Sequence, residues 1–504
     1  MRLMLNSEIK ALLGVIRDEL DQDQDLYVVG GAVRDALLGY RINDLDLALP
    51  INPIILAKKI AKHLQVDYFV LDDDRHTARV LYHDHESELF SLDFVQFTGK
   101  DLETDLENRD FTINAMAVSI HDLNTLIDPL GGRNDLQEGL LRPCSSHALS
   151  DDPLRVLRGV RLACQFNLKF SSALIDMMLA AAENLPDISF ERQRDELFKI
   201  LEGPLPATGL RDCYKFKIFD TLIPPLLDQV PIPPSPPHIY SLFEHTLKVV
   251  EQIDLLLSTL ETGEIVDNAT HWWVDDALSV LGSFSLGIKS YFKEEVTTGR
   301  SKRALALLGA LLHDIGKPVT LSSGEDGRTH FYGHDQVGVE MAWDVAKRMT
   351  LSNAESEWLR KLVQNHMRLL TMMNGEGLPS RRSIHRFFNQ TSNVGVAVVL
   401  FSLADTLATY GETLSRSRWK YELAVSKLLL STWWEGQHTV VSPTPLLDGN
   451  DIQEKFGLEP GKQIGNLIKA LKEAQACEEV STQEEAKVFI QHILDNNRHS
   501  GGAV

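Results

Sequence analysis

LYVVGGAVRDALLGYRINDLDLAL, residues 26–49, decides the fold. Leu26–Val29 is a short apolar run ending on two glycines, the pattern of a buried strand that enters a turn. AVRDALLG (32–39) has helical spacing and stops at Gly39, as helices that end on a left-handed residue do. DLDLAL (44–49) alternates acid and apolar residues, the period of a half-buried strand, so Asp44 and Asp46 share a face. Two like charges there are costly unless a cation lies between them. Asp93, in SLDFVQF, can reach that face from a neighbouring strand. Three convergent carboxylates suit magnesium, which prefers oxygen ligands and bridges substrate phosphates. Gly30 and Gly31 precede the helix, where backbone N–H groups can cradle a triphosphate. Arg34 can neutralise phosphate, and Asp35 can orient a partner.

Working outward, the spacing predicts helices over 8–20 and 54–64 and strands in DYFVLD, ARVLYHD and FSLDFVQF. NRDFTINAMAV combines a helical start with a strand-like end. Residues 1–140 therefore read as a compact α+β domain with a small sheet. Helical spacing follows over 141–222, as in DPLRVLRGVRLACQF and ERQRDELFKILEG. Residues 223–240 read as a linker, because PPLLDQVPIPPSPP (224–237) has seven prolines and favours an extended spacer. Residues 241–412 are mostly helical, with an insertion at 258–300, and 413–504 form a helical C-terminal region. Within it Gly457, Pro460 and Gly461 mark turns, Gly465 suggests tight helix packing, and NRHSGGAV reads as disordered.

The 504 residues suggest two to four domains, and an apolar fraction of 43% with 24% charged residues is that of an ordinary globular chain. The sequence shows no run of about 18 apolar residues and no signal-peptide core, so no membrane role is expected. Cys144, Cys164, Cys213 and Cys477 form no CxxC pair, which points to a reducing, cytoplasmic setting. A formal net charge of −21 argues against a nucleic-acid partner unless a local basic track serves it. Arg155–Arg158–Arg161, Lys215–Lys217 and Arg416–Arg418–Lys420 are the candidate tracks, with ordinary solvated faces as the alternative.

GGAVRDALLGYRINDLDLAL resembles the first motif of class II tRNA nucleotidyltransferases and bacterial poly(A) polymerases. The likeness continues in order through NRDFTINA (108–115), DPLGGRNDL (128–136), DDPLRVLRGVRLA (151–163) and SFERQRDEL (189–197). It implies an α+β fold class: a polymerase-β-like head, then an all-α neck over 141–222 that recognises the base. It also implies transfer of CMP or AMP from CTP or ATP to a tRNA 3′ end. By the same likeness Asp44 and Asp46 bind magnesium and Asp93 helps activate the attacking hydroxyl. Gly30, Gly31 and Arg34 hold the triphosphate, and Arg109, Asp110 and Asn114 contact sugar and phosphates. Asp152 and Arg155 read the base, since a carboxylate accepts from an exocyclic amine and a guanidinium donates to ring nitrogen or carbonyl oxygen. Arg158 and Arg161 reach phosphate or pair with neck acids. This chain has Asn108 where the family has arginine, and Asp151 where it has glutamate. Complete CCA-adding members carry a longer flexible loop between the positions of Asp93 and Arg109. The short FVQFTGKDLETDLEN resembles members that add only the two C residues. Complete CCA addition and poly(A) or A-only addition are the alternatives.

A second constellation is His245, then His313-Asp314 in ALLHDIGKP, His334, His366 and Asp405. Its order resembles the HD superfamily of metal-dependent phosphohydrolases. That likeness places a divalent metal of unknown identity on His245, His313, Asp314 and Asp405. His334 and His366 would hold a second ion or the substrate phosphate, and Lys317 would face developing negative charge. The other outcomes are a helical fold that only supports tRNA, and a phosphohydrolase whose N-terminal head is a non-catalytic RNA platform. PLLDGNDIQEKFGLEPGKQIGNLIKALKEAQ (445–475) resembles the tail of HD-containing members, which implies contact with tRNA or packing on the HD domain.

Overall fold

A computed structural model describes residues 4–21, 24–42, 44–72, 76–83, 89–264, 272–324, 329–373 and 377–500. The chain divides into two compact units, 1–221 and 222–504.

The first unit is built on a seven-stranded sheet. Its strands are β1 (Tyr27–Val29), β2 (Asp44–Leu49), β3 (Tyr68–Asp72), β4 (Thr77–His83), β5 (Leu89–Gln96), β6 (Ala117–Ser119) and β7 (Asp122–Ile127), in the order β3-β4-β5-β2-β1-β6-β7. β2 and β5 pair in parallel at the centre, and the other neighbours are antiparallel. The alternation in DLDLAL does what its period requires. Leu45 and Leu47 are fully buried, while Asp44 and Asp46 take the other face. Helices Ser7–Asp18, Gly31–Leu38 and Ile54–Leu64 bury their apolar stripes, and NRDFTINAMAV becomes a 3-10 turn at Thr112–Asn114 followed by β6. After the sheet the unit is helical. Arg155–Phe166 packs on Phe190–Leu201 and Pro206–Lys215, burying Val156, Leu157, Val160 and Ala163 at helical spacing.

The second unit is almost wholly helical. Leu242–Thr262 packs on Lys302–Leu312 and Gly395–Tyr410, and Asn353–Asn365 packs on Lys302–Leu312 and His334–Arg348. Gly395–Tyr410 is mostly apolar and buried along nearly its whole length, as a core helix is, with Asp405 among its few buried polar residues. The stretch 381–413 passes the length and hydropathy test for a membrane span, yet its apolar window is 89% buried inside the unit.

Several sequence expectations change here. The proline-rich segment is not an extended spacer in its first part, while Pro231, Pro233, Pro234, Pro236 and Pro237 follow in irregular, exposed backbone. Pro224–Gln229 winds into a 3-10 helix, Leu226 and Ile232 are buried, and Gln229 accepts a hydrogen bond from Thr246 at 3.0 Å. Proline supplies a φ compatible with that tight helix and gives up only donors that its first turn does not use. The insertion is folded: Trp272–Leu281 and Ser285–Lys293 are helices, with Trp273 edge-on to Trp419 and Phe284 stacked on Trp434. Residues 265–271 lie outside the described residues. The tail has its own small core around Leu447, Ile452, Ile464, Leu467 and Leu471. Gly465 is not a packing glycine, because a Cβ there meets no atom within 4 Å. The last helix runs through Ser500, so only 501–504 of the expected disordered end fall outside the described residues.

Candidate active site and metal centre

In the first unit the parallel register sets Asp46 directly opposite Asp93, with Asp44 two residues earlier on β2. The three acids are thus gathered as the spacing anticipates. Burial pushes Asp46 up to about 6, Arg109 opposes this, and Asp44 and Asp93 add to it. Such mutual repulsion is relieved by a cation, and an all-oxygen donor set fits magnesium. Asp93 is itself oriented. Arg79, its register partner on β4, donates Nε and Nη2 to the two carboxylate oxygens at 2.6 Å each. Arg79 was not among the residues singled out by motif; alternation in ARVLYH places it on this face, but only pairing shows it opposite Asp93. Arg79→Ala is expected to lower nucleotide incorporation about tenfold to a hundredfold, as loss of a group that orients a ligand does. The loss should fall on kcat rather than on KM for RNA. Arg79→Lys should recover only part of it, since an ammonium cannot make the bidentate contact.

Gly30 turns the chain toward these acids. Its φ of +74° lies in the left-handed region, and a Cβ would stand 3.0 Å from both Asp46 Oδ2 and Arg109 Nη1. Only glycine brings the backbone this close to the carboxylates. Beside it lies a buried polar chain. Arg34 donates to Asp35 at 2.9 Å and to Asn114 at 2.5 Å, with its guanidinium 4.3 Å from the Phe166 ring centre. Asn114 donates to Asp110 at 3.2 Å, and Asp110 pairs with Arg158 at 2.8 Å. Burial opposes ionisation of Asp110, but Arg158, the Phe111 N–H and Asn114 outweigh it and hold the carboxyl below its usual range. Arg109 donates to Asp105 at 3.2 and 3.3 Å.

The neck residues are placed differently from the motif reading. Asp152 and Arg155 are not paired. Arg155 donates to the carbonyls of Ala148, Asn108 and Arg109 at 2.9, 3.0 and 3.3 Å. Asp152 instead accepts from Arg192 at 2.7 Å. Arg161 pairs with Glu196 at 2.7 Å, so with Arg158 on Asp110 both arginines meet acids rather than an open face. In the later basic track Arg416 meets Asp276 and Arg418 meets Glu422, while Lys420 is exposed.

In the second unit five helices bring six residues together. His245 comes from Leu242–Thr262, His313 and Asp314 follow Lys302–Leu312, His334 starts His334–Arg348, His366 follows Asn353–Asn365, and Asp405 lies in Gly395–Tyr410. Gly316 permits the approach, since a Cβ there would sit 2.3 Å from the His334 carbonyl oxygen. Asp314 is central. Its Oδ2 lies 3.0 Å from His313 and 3.8 Å from His245, and its Oδ1 lies 3.6 Å from His334 and 3.9 Å from His366. Asp405 stands 3.1 Å from His245. These form two ligand groups, His245–His313–Asp314 and Asp314–His334–His366. His313, His334 and His366 hold Nδ1 against the carbonyls of Ala310, Phe331 and Val363 at 2.8, 2.8 and 2.6 Å. That contact favours the Nδ1–H tautomer and leaves each Nε2 lone pair toward the cluster. Both ring nitrogens of His245 and Nε2 of His313 are buried without an aligned hydrogen bond. Buried polar atoms are rarely left so, and the donor set fits a divalent metal. Lys317 lies 2.6 Å from Asp314. His238 is a further neighbour, edge-on to His245 at 4.6 Å, and burial with Lys317 nearby pushes it down to about 4. Its place inside the proline-rich segment carried no metal-ligand spacing.

A sheet with three acids beside a glycine turn, followed by helices and a histidine–aspartate cluster, defines a nucleotidyltransferase head joined to an HD unit. The family comparisons agree. The family model for the poly A polymerase head domain matches residues 26–142, that for the probable RNA and SrmB-binding site of polymerase A matches 167–229, and that for the HD domain matches 242–410. The A-adding tRNA nucleotidyltransferase of Deinococcus radiodurans is 31% identical over 92% of this chain and 94% of its own length. The CC-adding tRNA nucleotidyltransferase of Thermus thermophilus is 30% identical over 93% of each. The Thermotoga maritima CCA-adding enzyme, solved in complex with tRNA, shares the fold with a TM-score of 0.58 at 23% identity, over 97% of this chain and 96% of that one. The chain belongs to the tRNA nucleotidyltransferase and poly(A) polymerase family, with a fused HD domain.

Proposed function

We propose that this chain builds the 3′ CCA end of tRNA, adding the two C residues from CTP, by nucleotidyl transfer at Asp44, Asp46 and Asp93. The observation that carries the reading is the parallel register of Asp46 with Asp93 beside the Gly30 turn. Asp44 and Asp46 would hold two magnesium ions. Such ions supply positive charge to the attacking and leaving oxygens of an in-line displacement. Asp93, oriented by Arg79, accepts the proton of the attacking 3′-hydroxyl. The Gly30 N–H is spent on the Met116 carbonyl at 3.2 Å, so of the two glycines only Gly31 offers its N–H to the triphosphate, together with Arg109. Arg34, engaged by Asp35 and Asn114, acts by bracing that turn, and the same buried chain places Asp110 and Asn114 for the sugar. Asp152 accepts from the exocyclic amine of the base. Arg192 keeps it oriented, and Arg155 exchanges its carbonyl partners for the base as the nucleotide enters.

Specificity for C rests on the connection between Asp93 and Arg109. It is short, and it is tied down. Buried Asp105 accepts from the Thr98 N–H at 2.9 Å, from its hydroxyl at 3.1 Å and from Arg109. Asp101 caps the helix Leu102–Glu107. A tethered segment does not supply the slack needed to reshape the base site from C to A. The test is a timed incubation of tRNA lacking its CCA end with CTP alone, ATP alone or both. We expect two additions with CTP, none with ATP and still two with both. A third addition would instead make this a complete CCA-adding enzyme, and a single A would place it with A-adding relatives.

A second activity is proposed at the HD cluster: hydrolysis of phosphate esters on RNA ends, such as 2′,3′-cyclic phosphates or 3′-phosphates, which would free the hydroxyl that the head requires. A divalent ion there would supply Lewis acidity toward the ester. Lys317 would meet the developing charge. Absence of turnover with nickel, manganese, cobalt and magnesium removes this reading.

A further inference from the structure

The strand register sets Val29, Asp46, Asp93, Arg79 and Phe69 in one row across the sheet, on β1, β2, β5, β4 and β3 in turn. Directly paired residues point to the same face. Phe69 therefore stands on the face that carries the acids, at the open edge of the sheet. The other face is closed: Ala78 and Val80 of β4 are fully buried, and the helix Ile54–Leu64 packs on that strand. Phe69 is 49% exposed. In-line displacement decides what lies over it, because the attacking and leaving oxygens stand on opposite sides of the phosphorus. The leaving pyrophosphate is held on the β1 side, at the turn of Gly30 and Gly31. The attacking RNA end then comes from the β5 side, where Asp93 meets its hydroxyl, and its nucleotide lies over β4 and β3. Two strand spacings, about 10 Å, separate Asp93 from Phe69, a gap that one nucleotide and an aromatic side chain span together. Arg79 is occupied by Asp93, and Phe69 is the next side chain in the row.

Resting on the reading of Asp44, Asp46 and Asp93 as the transfer site, we propose that Phe69 is the stacking platform for the 3′-terminal base of the RNA that receives the nucleotide. A π-face suits this place. The terminal base changes as additions proceed, and stacking accepts any base, whereas hydrogen-bond readout favours one. Phe69 is thus a positioning residue for the RNA acceptor and takes no part in choosing C over A.

The test measures equilibrium binding of an acceptor-arm RNA hairpin that ends just before the CCA positions, once with an intact and once with an abasic terminal nucleotide. It uses the full chain with magnesium and without CTP, so that no addition occurs. The terminal base should tighten binding roughly fivefold to a hundredfold, the range of base–aromatic stacking. Phe69→Ala should erase that advantage without weakening the abasic RNA, and Phe69→Tyr should keep it. Phe69→Leu keeps apolar surface on the edge strand but has no ring, and should lose most of the advantage. In steady-state incorporation Phe69→Ala should raise KM for the intact RNA by the same factor and leave KM for CTP unchanged. Equal affinity for the two RNAs, an advantage that survives in Phe69→Ala, equal weakening of both RNAs by that substitution, or no saturable binding of the intact RNA would each overturn the proposal. A Phe69-dependent advantage in a protein that incorporates no CTP upholds the platform and sinks only the transfer reading.

Discussion

A chain carrying Asp44→Ala and Asp46→Ala loses CTP incorporation into CCA-less tRNA by about 10³-fold or more, while phosphate-ester hydrolysis stays within about twofold of the parent. The size follows from what the pair is asked to do. Charge stabilisation by bound cations is worth several kcal/mol in the transition state, and each ~1.4 kcal/mol is tenfold in rate. The direction of the stability change is also set. Asp46 is pushed up to about 6 first by burial and then by Asp44 and Asp93, so the acids work against the fold when no cation is present. Their removal should leave the thermal midpoint unchanged or higher, as expected where function is bought with strain. Single-turnover incorporation and a thermal melt on the same preparation check both halves. Incorporation that survives the double substitution would show that the metal assignment on β2 is wrong.

The second large effect is expected at Asp314. Asp314→Asn should cut hydrolysis at least a hundredfold and remove most bound metal, with CTP incorporation within about twofold of the parent. Asp314 is shared by both ligand groups, with Oδ2 toward His313 and His245 and Oδ1 toward His334 and His366. Replacing one of its oxygens with an amide damages both at once. Burial disfavours its charge, yet His313 and Lys317 outweigh that and hold the carboxyl far below its usual range. The amide keeps the volume but loses the charge that balances Lys317, so some loss of stability is expected without metal. His366→Gln provides the control, since it touches only one ligand group and leaves Lys317 paired. Metal content by mass spectrometry and hydrolysis rates for both variants decide the matter. Full metal occupancy in Asp314→Asn would overturn the assignment.

Local patterns carried much of the architecture. Period-2 alternation over 44–49, helical spacing over 32–39 and 155–166, and the glycine turn at 30–31 depend on neighbours within a few residues, and each appears where the pattern placed it. Chemistry carried by residue type was also legible, because three acids near a glycine turn repel one another unless a cation lies between them, and imidazoles with carboxylates supply a donor set suited to a divalent metal. Register, packing and partner choice were not legible. That Arg79 holds Asp93, that Arg192 rather than Arg155 stands at Asp152, and that the first two prolines of the proline-rich segment open a packed 3-10 helix all depend on pairings far apart in sequence. The sequence alone determined which side chains could do chemistry and which faces they occupy, since both follow from covalent order and backbone period. Only the tertiary structure decided which of them meet, because hydrogen bonds and burial choose among long-range partners that the linear order leaves equally available.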